Sequence, residues 1–158
     1  MTTTAQIAKH LRDVHFGGNW TVSNLKEQLT GVTLEQALTQ VHGLNTIATL
    51  TYHINYYIHE VIKVLEGQPL TASDKYAFTH PPFGEQREWD DFLNKCWDEA
   101  EHFASLIEKL PDSILGEDFT DPKYGTWYRN LAGIIEHAHY HLGQIALIKK
   151  LVQQEATT

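Results

Sequence analysis

Cysteine, basic side chains and long apolar runs are scarce in this sequence, and each scarcity excludes something. A single cysteine, Cys96, in 158 residues rules out an internal disulfide and any cysteine-based zinc cluster. It sits in the helical pattern FLNKCWDEA with no flanking base, so it reads as a buried inert thiol and not as a nucleophile. Lys and Arg total 12 against 20 acids, a formal charge of −8. With no basic stripe, the chain is expected to bind neither nucleic acid nor anionic membrane surfaces. No apolar stretch approaches the roughly 18 residues of a membrane span, and MTTTAQIAKHLRDVHF lacks a cationic start followed by an apolar block. The expected location is therefore the cytoplasm.

What is present is an ordinary globular composition, 42% hydrophobic and 20% charged, in a length that suits one domain over 1–158. Ten histidines are many for such a chain. Four long segments carry the 3.6-residue apolar period, which predicts an all-α four-helix bundle. The first runs from about Ala5 to Phe16 and stops at Gly17-Gly18. A connection follows, FGGNWTVSNLKEQLTG, with a short helical piece near Leu25. Thr33 and Gln36 have capping-box spacing and predict a short helix through Val41. The second long helix is expected from Leu44 to Leu65, the third from Glu88 to Leu110, the fourth from Tyr128 to Gln153, and the tail EATT should fray. Between the second and third, GQPLTASDKYAFTHPPFGEQ is a long loop, broken by Pro81-Pro82 and Gly84, of a length that tends to be functional. A second irregular stretch, PDSILGEDFTDPKYGTWYRN, precedes the fourth. Two long connections beside short ones suit a bundle with crossovers.

The last helix carries GIIEHAHYHLGQIALIKKLV. On a helical wheel Ile134, Ile145, Ile148 and Val152 lie within about 40° of His141, and His137 lies about 40° to the other side. Two imidazoles thus share a core-facing seam, where unpartnered burial is costly. Their spacing of four suits either hydrogen-bonded core histidines or two nitrogens of one metal ion. A stable site needs a third ligand. The best candidate is His53, on the flank of the apolar stripe of TIATLTYHINYYIHEV, beside Tyr57 and Thr46. By the same geometry His59 looks toward water and His139, about 160° from His141, reads as a solvated surface residue. Residue 138 is Ala, so HExxH is absent. Gln144, on the side of the pair, is placed to orient a ligand or a bound water; Glu136 reads as a surface charge, and Tyr57 as a candidate pocket wall.

The combination HxxxHxGQ (His137, His141, Gly143, Gln144) with a histidine early in the second long helix resembles the DinB/YfiT-like superfamily of four-helix-bundle proteins. The likeness runs from the GGNW connection near Trp20 through the second and middle helices to YRNLAGIIEHAHYHLGQIALIKKL. It implies that His53, His137 and His141 bind a divalent metal at one end of a cavity, and that Asn19 and Trp20 lie near that cavity. Three imidazoles leave positions open for water or substrate, the mark of a catalytic metal. Zinc is the first choice for such ligands, with nickel, iron or manganese permitted. A metal-bound water or thiolate would be the nucleophile. The resemblance implies a transferase for a low-molecular-weight thiol or a small-molecule hydrolase; the alternative is a non-catalytic metal-binding or stress-response bundle. Tyr52, Tyr56, His59 and Ile62 leave aromatic and apolar surface on the outside of the second long helix, which predicts a homodimer.

Overall fold

Side-chain caps decide where most of the helices begin. The computed structural model describes residues 1–155, and the first helix, α1 (Thr3–Phe16), starts where the Thr2 hydroxyl accepts from the Ala5 N–H. It ends at Gly17, whose φ of +116° is open to glycine at little cost. Asn24 caps α2 (Leu25–Leu29) in the same way, through the Glu27 N–H. The box foreseen at Thr33 and Gln36 forms both of its hydrogen bonds and opens α3 (Leu34–Leu38), a turn shorter than the helix expected through Val41. α4 (Ile47–Leu65) is capped by Thr46 and so begins three residues after the expected Leu44, whose N–H is spent on a turn to Val41. α5 (Gln86–Glu108) starts where the Glu88 carboxylate accepts from the N–H groups of Gly84 and Glu85. α6 (Trp127–Glu155) continues past Gln153; of the tail expected to fray, Glu155 is helical and 156–158 lie outside the described residues.

The four long helices α1, α4, α5 and α6 enclose one apolar core. α1 packs mainly along α5, and α4 against both α5 and α6. Leu11, Leu50, Ile58, Trp89, Phe103 and Ile145 are among its fully buried side chains. The Trp89 indole N–H donates to the Val32 carbonyl at 3.0 Å, which pins the α2–α3 connection onto α5. Truncating a buried aromatic of this kind to Ala costs about 3–5 kcal/mol. The expectation of an all-α chain holds: among the described residues the only β pairing is an isolated bridge between Asp118 and Thr126. No helix among them is long and apolar enough to cross a membrane.

The two long connections are segments 66–85 and 109–126, the latter holding two short 3-10 turns, Asp112–Gly116 and Pro122–Tyr124. The first folds back over the outer face of α4. The Ser73 N–H donates to the Tyr56 hydroxyl, Tyr52 packs on Phe92 and His80, and Ile62 is buried. The tyrosines of the face expected to be a dimer surface thus pack partly under the chain's own loop, while His59 on the same face stays half-exposed. The same loop approaches the histidines.

Candidate metal centre

α4 contributes His53 and α6 contributes His137 and His141, one turn apart, and the packing of α4 on α6 brings the three rings together. The Nε2 of His137 lies 2.9 Å from the Nε2 of His53 and 3.1 Å from that of His141. Nitrogens held by one ion at 2.0–2.1 Å stand roughly 3 to 3.4 Å apart; two of the separations are close to that spacing, and all three ligand atoms lie within 4.8 Å of one another.

The outer nitrogens decide what the inner ones are. The Nδ1 of His53 is 3.0 Å from the Ala77 carbonyl oxygen, which only accepts, so Nδ1 carries the proton and Nε2 of the neutral ring is a bare lone pair. Gln144 fixes the same tautomer on His141, its amide oxygen accepting from Nδ1 at 2.6 Å. Two lone pairs therefore point at the Nε2 of His137, which has at most one proton to offer. At least one buried nitrogen lacks a donor, with His53 5% and His141 7% exposed. A divalent cation shared by all three nitrogens removes that deficit, and the donor set fits one. Each outer hydrogen bond is the kind that orients a ligating imidazole.

The rings are held neutral, as ligands must be. Burial pushes the His137 imidazole down to about 4, helped by the neighbouring His141 and His53. Burial likewise lowers His53, opposed by its bond to Ala77, and lowers His141, opposed by its bond to Gln144. Phe78 stacks on His53 with ring centres 3.7 Å apart, and Tyr57 meets the rings of both His53 and His137 edge-on. Beyond His137 opens a cavity of about 540 Å³ between α4, the 66–85 loop and the start of α6, with Tyr57, Asp74, Arg129 and Gly133 on its walls.

The other residues singled out in the sequence divide. Gln144 lies on the side of the pair expected of it, its amide oxygen against the His141 Nδ1. Tyr57 lines the cavity and donates its hydroxyl proton to Asp74 at 2.7 Å. Glu136 is exposed, as expected, but at the cavity's edge. Cys96 is buried and its thiol pushed up, chiefly by burial, in keeping with an inert group. His59 is half-exposed and its Nδ1 lies 2.8 Å from a Glu99 carboxylate oxygen, within hydrogen-bond distance, instead of facing only water. His139 is not a solvated surface residue: its Nδ1–H donates to Ile135 and its Nε2 meets the Asn19 amide at 3.2 Å. The α1–α2 connection covers that face of α6. It follows that Asn19 stands on the opposite side of α6 from His141, away from the cavity, and Trp20 is fully exposed. Sequence reasoning missed Ala77 and Phe78; a backbone carbonyl leaves no trace in residue identity, and the length of the loop was the one available signal. It also missed His15, fully inside the bundle, with Nδ1–H donating to Leu11 at 2.8 Å.

A helical bundle with three convergent histidines able to hold a metal ion defines a recognisable class of protein. The family model of the DinB superfamily matches residues 18–145, a span that contains all three histidines. The chain belongs to the DinB superfamily. No curated protein and no solved structure matches it.

Proposed function

We propose that this protein binds a divalent metal, zinc by preference, through His53, His137 and His141, and that it is a metal-dependent enzyme acting on a small molecule. The observation that carries the reading is the convergence of three Nε2 atoms, two of them lone pairs fixed by Ala77 and Gln144, beside a cavity with polar walls. A divalent ion there supplies Lewis acidity, lowering the pKa of a water or thiol and polarising an electrophile. The reactions that use this chemistry are transfer of a low-molecular-weight thiol and hydrolysis. The chain's own contributions are orientation and enclosure. Gln144 and Ala77 hold two rings in the ligating tautomer, Phe78 shields His53 on its outer face, and the Tyr57 hydroxyl, committed to Asp74, stiffens the wall nearest His137. A cytoplasmic setting is part of the proposal and rests on composition alone.

A second reading, metal retained without turnover, is favoured by one contact: Phe78 on His53 closes one side of the group. Turnover separates the two. Zinc-loaded and metal-free protein are given a small thiol with an alkyl-halide electrophile, and separately an activated ester. Metal-dependent loss of thiol or ester, abolished in His137→Ala, supports the enzyme. Bound metal with neither activity favours the non-catalytic protein.

A further inference from the structure

Arg129 is a cation on the cavity wall whose side chain makes no hydrogen bond or ion pair among the described residues; only its backbone N–H is engaged, by Thr126. The residue is exposed, and its stem lies over Gly125. The Cδ and Nε of Arg129 lie 2.7 and 3.5 Å from where a Cβ on Gly125 would stand, so the arginine occupies space that only glycine leaves, at a residue whose φ of +76° also suits glycine. Of the three acids on the same wall, Glu60 holds Lys63 and Thr71, Asp74 holds Tyr57, and Glu136 sits exposed at the end beside His137, seven residues along α6 from Arg129. One turn on from Arg129, Gly133 also faces the cavity, and a Cβ there would meet nothing within 4 Å. No packing among the described residues asks for glycine at this point inside a helix, where it is less favourable than Ala. Between Arg129 and His137, which stand eight residues, about 12 Å, apart along α6, the wall is formed by Asn130, Ile134 and Glu136 with a gap at Gly133 where no side chain stands.

We propose that Arg129 and Gly133 select the substrate: an elongated small molecule that lies across Gly133, with a carboxylate on Arg129 and its reacting end at the histidines. The inference rests on the proposed metal site for the position of that reacting end. A singly charged carboxylate suits the wall better than a phosphate, because Glu60, Asp74 and Glu136 line the same cavity and their repulsion grows with each added negative charge. Arg129 is a specificity residue and takes no part in the chemistry.

The test is calorimetric binding of zinc-loaded protein to paired probes that share a thiol for the zinc and differ at the other end: 8-mercaptooctanoate against 8-mercaptooctanol, and 3-mercaptopropionate as a carboxylate too short to reach from the histidines to Arg129. The long carboxylate should bind about tenfold more tightly than the alcohol, the size of one charge-assisted contact. Arg129→Gln should erase that preference, Arg129→Lys restore part of it, and 3-mercaptopropionate show no dependence on residue 129. Gly133→Leu should weaken both long probes alike. Zinc content and melting temperature, measured for each variant, show that fold and metal are intact. Equal affinity for the two long probes in wild type, or a preference that survives Arg129→Gln, overturns the inference. Failure of wild type to bind zinc overturns the metal reading instead, and the long pair on metal-free protein then decides Arg129 by the same criterion.

Discussion

The Nδ1–H of His53 donates to the carbonyl oxygen of Ala77 across 24 residues of chain, so the loop over α4 determines which nitrogen of His53 faces the other two histidines. The tautomer of a helix residue is thereby set by the backbone of a connection. Phe78, the next residue, lays its ring on the same imidazole. Removing that ring in Phe78→Ala leaves the three nitrogens in place but uncovers one side of them. The expected outcome is unchanged zinc stoichiometry with faster zinc loss to a chelator, followed with a chromogenic dye. Release at the wild-type rate would show that Phe78 does not shield the site.

Gln144 performs for His141 what Ala77 performs for His53, through a side chain that can be exchanged. Gln144→Ala takes away the acceptor of Nδ1–H at 2.6 Å and frees the ring to change tautomer. Losing such an orienting partner typically costs 10- to 100-fold in metal affinity, and a zinc titration with a competing chelator should read a loss of that size. Gln144→Glu, which keeps an acceptor, should bind zinc at least as well as wild type. Wild-type affinity in Gln144→Ala would mean that His141 is oriented by its packing alone.

Acid should destabilise the metal-free protein over a defined window. His15 is pushed by burial from an ordinary value of 6.5 to about 4, and His137 is lowered to about the same value. Both folded values lie below the unfolded one. Above pH 6.5 neither state carries the proton; as pH falls from about 6.5 to about 4 the unfolded chain takes it up and the fold does not, so stability declines across that interval and levels off below it. For fully buried His15 the loss is of the order of 3 kcal/mol. Urea unfolding at several pH values should show the decline, and it should be shallower in His15→Leu. A stability that stayed flat from pH 7 to 5 would contradict the burial argument for both residues.

Much of this arrangement is written in the sequence. The seam through Ile134, Ile145, Ile148 and Val152 is buried along with His141, because a long apolar helix in a bundle shows its inner face through period alone. The caps at Thr33 and the stop at Gly17 are equally local. Misreadings gather where a connection returns over a helix. Wheel geometry sees one helix at a time and so points His139 at solvent, whereas the α1–α2 connection places Asn19 upon it. The same limit applies to the tyrosines of α4, against which Ser73 and His80 of the 66–85 loop pack. Ala77 contributes only a carbonyl, which every residue has. These are long-range contacts, and nothing in local periodicity encodes where a loop of twenty residues comes to rest.

Zinc content after equilibrium dialysis tests the central claim most directly, with wild type, His53→Ala, His137→Ala, His141→Ala, His59→Ala and His139→Ala compared by elemental analysis of protein prepared without nickel resin. One ion per chain is expected in wild type, His59→Ala and His139→Ala, and near-complete loss in each of the other three, since the three nitrogens act as one ligand set. Retention of zinc in His137→Ala, whose Nε2 stands between the other two, or loss in His139→Ala equal to that in His141→Ala, would contradict it.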